Sequence, residues 1–123
     1  MNPYIDCSKV HIDKSEHGLG VFATQNIAKG EIVERGLMFP ITGVDGNENR
    51  HLFIWSDDRS IWASASGCIT LYNHSGTPNI KKNGDLVKNT MEVVALRDIN
   101  AGEELCNTYY SRKWRKCFAD LKD

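Results

Sequence analysis

The sequence predicts a mainly β fold: several small sheets, short strands and little helix. Three observations carry that expectation. Short apolar runs are separated throughout by Gly, Asn, Asp and Pro turn chemistry. Residues 90–96 alternate, with Met91, Val93 and Ala95 set against Glu92, Val94 and Leu96. No segment sustains a 3.6-residue apolar repeat, the tail at 112–121 excepted.

At 123 residues the chain is expected to form a single domain, 1–123, with a core at about 10–114 and a short tail. A composition of 41% hydrophobic and 25% charged residues, with net charge −1, is that of an ordinary globular protein. It lacks the basic surplus of a general nucleic-acid binder. No run reaches the roughly 18 apolar residues of a membrane span, and no signal peptide is evident. The expected location is cytoplasmic, or nuclear in a eukaryotic host. Cys7, Cys68, Cys106 and Cys117 form no Cys-x-x-Cys pair, so reduced thiols are expected, at least two of them buried, and no metal site.

In chain order, Val10, His11 and Ile12 suggest a short strand, and residues 14–17 a charged turn. Gly18-Leu19-Gly20 is either a plain turn or backbone that closely approaches a neighbour or a ligand. With no third glycine and no helix behind it, it is not a dinucleotide fingerprint. Residues 23–33 and 95–105 share Ala, Ile, Gly and Glu at identical spacing. Each reads as strand, glycine turn, strand, predicting two hairpins in two sheets that pack together. Residues 36–40 are apolar and stop at Pro40, and 43–50 form a polar loop. Residues 51–55 are a buried strand or half-turn, leading through a turn at 57–60 into Ile61, Trp62 and Ala63. The small residues 63–67 suit a tight passage beneath another segment. Residues 68–72 are an apolar, rigid run that hands Asn73 and His74 to a loop ending at Pro78-Asn79. Residues 81–88 read as a polar connection.

Three of these stretches together resemble the SET-domain protein lysine methyltransferases. Gly18-Leu19-Gly20 is similar to that family's Gly-x-Gly. Asn73-His74-Ser75 with Pro78-Asn79 resembles its Asn-His motif, and Gly102-Glu103-Glu104-Leu105 with Tyr109 its Glu-Leu-x-x-x-Tyr motif. The resemblance spans about residues 10–114 and is nearest to the short stand-alone members found in viruses and bacteria. It implies a β-clip-like fold whose C-terminal segment threads beneath the Asn-His loop. That brings Asn73 to Tyr109 across 36 positions.

The resemblance further implies S-adenosylmethionine as methyl donor, with S-adenosylhomocysteine as product, and a protein substrate whose lysine enters a narrow channel. That substrate is a histone or another host or viral protein. The chemistry is direct displacement, so the attacking amine must be neutral. From a reference pKa of about 10.4, deprotonation at pH 7 costs roughly 4.6 kcal/mol. An apolar channel and a neighbouring sulfonium reduce that cost, and alignment supplies the rest. Tyr109 is the catalytic candidate, a phenol that stays protonated and orients the amine. Gly18, Leu19, Gly20, Asn73 and His74 (through its backbone) are the cofactor-binding candidates, and Trp114 is placed to stack on adenine. Asn107 and Tyr110 are assigned to the substrate channel. Asn107 stands where the family usually has an aromatic or aliphatic residue, which favours di- or trimethylation. The C-terminal zinc-binding cysteine cluster of larger relatives is missing, so residues 110–123 or a second copy in a homodimer must close the channel. The rival reading is a non-catalytic β-rich binding module on the same scaffold. Arg112, Lys113, Arg115 and Lys116 form a basic tail, read as a solvated face.

Overall fold

The computed structural model describes residues 4–16, 18–47, 49, 51–56 and 58–108. Tyr109, Tyr110, Trp114, Cys117 and the basic tail lie outside the described residues. Strands dominate, as the alternation at residues 90–96 requires. β1 (Val10–Ser15), β2 (Gly18–Ala23), β9 (Glu104–Asn107) and β6 (Asn73–His74) form one sheet in the order β1-β2-β9-β6. β4 (Phe53–Ile54), β5 (Trp62–Ala65), β3 (Ile32–Ile41), β8 (Thr90–Ala95) and β7 (Ile80–Asp85) form the second, in the order β4-β5-β3-β8-β7. The only helical piece among the described residues is a 3-10 turn at Ile69–Leu71, and none is long and apolar enough to cross a membrane.

The two similar units are not hairpins. Each runs strand, loop, strand, and the units pair with each other. β2 of the first lies against β9 of the second, and β3 of the first against β8 of the second. Between them, Ile27 and Ile99 exchange both backbone hydrogen bonds, at 2.9 and 2.8 Å. Asp98 accepts from Lys29 N and Asn26 accepts from Ala101 N, each at 2.9 Å, so each loop caps the other. The glycine turns are real: Gly30 and Gly102 have φ of 87° and 89°, backbone that only glycine adopts readily. The expected packing of two sheets therefore holds, but by exchange of strands.

Other expectations need correction. β1 runs to Ser15, so the charged turn begins at Glu16. Gly18 and Gly20 lie in β2, not in a turn. β3 continues past Pro40, because at that point it pairs only with β5 and no neighbour on the other side needs the missing N–H. Residues 80–85 form edge strand β7 instead of a connection; its lysines and glycine hid the alternation. The apolar run before Asn73 forms a 3-10 turn at Ile69–Leu71. Cys7, Cys68 and Cys106 are half-buried, not buried. The hairpin from residue 53 to 63 is found as expected.

Two apolar clusters follow from the faces. Val10, Val21, Ile27, Val33, Tyr72, Val93, Ile99 and Leu105 fill the space between the sheets. Met38, Trp55, Ala63, Ile69 and Met91 fill the inner side of the five-stranded sheet. That sheet curls until its edges approach: the Trp55 indole donates to Asn89 Oδ1 at 2.9 Å, and a Cβ on Gly84 would meet the Trp55 ring at 2.8 Å.

Candidate functional site

Asn73 sits at the edge of the four-stranded sheet, and one amide nitrogen holds three strands. Its Nδ2 donates towards Ser15 Oγ (3.1 Å), the Leu19 carbonyl (3.1 Å) and Glu104 Oε2 (2.8 Å). β1, β2 and β9 therefore converge on this side chain. Gly20 makes the convergence possible: a Cβ there would overlap the Glu104 carboxylate and come within 3.0 Å of Asn73 Nδ2. At Gly20 the Gly-x-Gly pattern is thus a close approach of backbone to neighbouring side chains, while a Cβ on Gly18 would meet nothing within 4 Å. With Nδ2 engaged, the groups gathered around it, the Leu19 carbonyl and the Glu104 carboxylate, are oxygen acceptors.

The loop after Asn73 grips β9 at both of its ends. β6 runs parallel to β9, with Asn73 opposite Cys106 and His74 opposite Asn107. Ser75 N donates to the Asn107 carbonyl at 3.0 Å, and Thr108 Oγ1 donates to the Ser75 carbonyl at 2.8 Å. Asn79, only 5% exposed, imitates a strand partner. Its Nδ2 donates to Glu104 O and its Oδ1 accepts from Cys106 N, both at 2.8 Å. Residues 104–108 are held from two directions immediately before Tyr109.

His74 is half-buried with Nε2 shielded from solvent. Asn107 donates weakly to the Thr108 carbonyl at 3.3 Å, while its Oδ1 is buried with no partner among the described residues. A buried acceptor left open costs about 1–3 kcal/mol, so this position suits a donor arriving from outside.

The three described cysteines offer no nucleophile. Burial pushes the Cys68 and Cys106 thiols up to about 11, and burial also raises Cys7, so all three stay protonated near neutrality. Among the described residues no group of three His, Cys, Asp or Glu side chains could hold a metal ion.

Of the sequence-predicted residues, Gly18, Leu19, Gly20, Asn73, His74 and Asn107 come together along one end of the four-stranded sheet. Tyr109, Tyr110 and Trp114 are outside the described residues. Ser15, Glu104 and the clamp by Asn79 were missed. Glu104 and Asn79 lay inside quoted motifs, whereas Ser15 carried no signal.

The protein-family model described as the SET domain matches residues 18–110. The chain is 28% identical over 109 residues to the H3 lysine-37 specific histone-lysine N-methyltransferase of Schizosaccharomyces pombe, covering 83% of this chain and 73% of that one. It is similar to a solved candidate histone methyltransferase of Plasmodium falciparum, with TM-score 0.67 and 30% identity over 82% of this chain and 92% of the other. It is also similar to ctPRC2 in an autoinhibited conformation bound to S-adenosylmethionine, with TM-score 0.71 and 25% identity, over 86% of this chain but 16% of that one.

Proposed function

This chain belongs to the SET-domain family, and on that premise we propose how it works and on what. It is an S-adenosylmethionine-dependent protein-lysine methyltransferase. The proposed substrate is a lysine of a histone H3 tail, the target named for the Schizosaccharomyces pombe relative. The proposed product is the di- or trimethyl lysine, supported by Asn107 standing where a bulkier aromatic would crowd an alkylated amine.

The Gly20–Asn73–Glu104 junction is the observation that carries this reading. S-adenosylmethionine, when bound, supplies an electrophilic methyl on a positively charged sulfur beside a cationic α-ammonium. The acceptors that Leu19 and Glu104 present fit a cationic end, and the missing Cβ of Gly20 lets backbone lie against it. In this proposal Gly18, Leu19, Gly20, Asn73 and the His74 backbone hold the cofactor, and Trp114 stacks on its adenine. Tyr109 directs the lone pair of the neutral target amine at the methyl. While the amine is unmethylated or monomethylated, Asn107 Oδ1 accepts an N–H from it, which fills its open acceptor position and fixes the amine's orientation. Tyr110 lines the channel, and a second copy of the chain helps to close it. Asn79 and Ser75 keep β9, and with it Tyr109, in register.

Incubation with isotopically labelled S-adenosylmethionine and histone H3 tests the reading. Label on H3 lysine is expected, and Tyr109→Phe should reduce it about 100-fold, the scale of losing one aligned hydrogen-bonding group. Calorimetry separates the rival: a chain that binds no S-adenosylmethionine and labels no lysine is a binding module only.

A further inference from the structure

Lys82 points to the wrong side of its strand for a lysine. Its pairing with Val93, which in turn pairs with Glu34, puts all three on the inner face of the five-stranded sheet. Lys81, one residue earlier, faces outward and is exposed. The Lys82 ammonium nitrogen lies 4.7 Å from the centre of the Phe53 ring and 5.3 Å from that of Tyr72. Among the described residues no carbonyl, hydroxyl or carboxylate accepts a hydrogen bond from it, and Glu34 acts on it only at longer range.

An ammonium with three N–H groups and no acceptor among the described residues is poorly matched to this pocket. Two aromatic faces instead suit a weakly hydrated alkylammonium, the chemistry of a methyl-lysine cage. Each methyl added would replace a donor that bonds to nothing and extend apolar contact with the rings. Burial also pushes the amine down to about 7, opposed only by the Glu34 charge. That lowering belongs to the buried amine and is lost when Lys82 leaves the rings, so the channel of the second copy must lower it again.

We propose that Lys82 is a self-methylation site, modified by the active site of a second copy of this chain and then held as a methylammonium between Phe53 and Tyr72. The proposal rests on the methyl-transfer reading above. The amine lone pair of Lys82 forms an N–C bond to the S-methyl carbon of S-adenosylmethionine. The C–S bond breaks with its electron pair going to sulfur, leaving S-adenosylhomocysteine, and the new secondary ammonium can release its extra proton to water. Access comes from position: β7 is an edge strand, the Lys82 side chain is partly exposed although its amine is buried, and among the described residues no hydrogen bond has to break when it leaves the rings.

The test is peptide mass spectrometry of the purified full chain after incubation with heavy-methyl S-adenosylmethionine, alone and with histone H3 present. Label at Lys82 is expected at least tenfold above Lys81, with a rate rising as the square of protein concentration. Lys82→Arg should remove that label and leave labelling of H3 unchanged. Label on H3 or on other lysines of the chain without Lys82, or equal label at Lys81, overturns the inference alone. A chain that labels neither H3 nor itself overturns the methyl-transfer reading as well.

Discussion

Glu34 and Glu104 are both carboxylates facing the segment that runs from Cys68 to Asn79, yet they are built for different purposes. Glu34 is 1% exposed and both of its oxygens are used: the Tyr72 hydroxyl donates to Oε1 at 2.7 Å and Cys68 N to Oε2 at 2.8 Å. Glu104 is half-buried, and one oxygen takes the Asn73 amide while the other has no partner among the described residues. A carboxylate with both oxygens bonded within the core supports structure. One with an oxygen to spare, beside a glycine, is equipped to meet a ligand. The three-residue turn between them is thus fixed at Tyr72 by a closed node and offered at Asn73 to an open one.

Breaking the closed node should have the largest effect. Glu34→Ala leaves two buried donors without acceptors and should lower stability by roughly 2–5 kcal/mol, read as a shifted urea midpoint. Next, Gly20→Ala drives a methyl into Glu104 and Asn73; S-adenosylmethionine affinity by calorimetry should fall at least tenfold, with a stability loss of about 1–3 kcal/mol. Glu104→Gln sharpens the contrast, since it keeps the shape and removes the charge. It should weaken S-adenosylmethionine binding about tenfold while leaving the urea midpoint nearly unchanged; a large stability loss would make Glu104 a second Glu34.

The pH dependence has opposite signs on the two sides of Val93. Burial lowers Lys82 to about 7, so between pH 7 and its unfolded value near 10.4 the unfolded chain binds more protons. Stability from this group should rise with pH across that window, with a limiting slope of about 1.4 kcal/mol per unit. Burial raises Glu34, whose contribution falls as pH climbs from its unfolded value near 4.3 through its folded one. Thermal unfolding from pH 6 to 9 should show the Lys82 rise, and Lys82→Met should flatten it. Smallest of all, Arg97→Ala removes a mostly exposed pair with Glu103 at 3.0 Å and should change stability by less than about 1 kcal/mol.

What the sequence made legible was local or motif-bound. The alternation of β8 and the 53–63 hairpin are set by side-chain parity and turn residues, and both are present. Of the three motifs, Gly18–Gly20, Asn73 and Glu104 meet at one end of the four-stranded sheet. Parallel pairing of β6 with β9 joins residues 33 positions apart through two-residue contacts, too short to leave a periodic trace. Lys82 and Glu34 were invisible because charge reads as surface. The signal was there in parity: Glu34 and Gly36 share the register of buried Met38, and Lys82 that of buried Ile80.

The strand exchange between the two repeated units also sets a timetable for synthesis. The first unit is complete at residue 33, but the strands that partner it, β8 and β9, are not made until residues 90–107. At about 5–20 residues per second, the nascent chain spends several seconds with one edge of β2 and one of β3 unclaimed. Ile27, shielded in the finished protein by Ile99, faces water or a chaperone for that interval. The protein is therefore most vulnerable to aggregation before residues 90–107 have left the ribosome, and a delay in translation between the two units would lengthen that exposure.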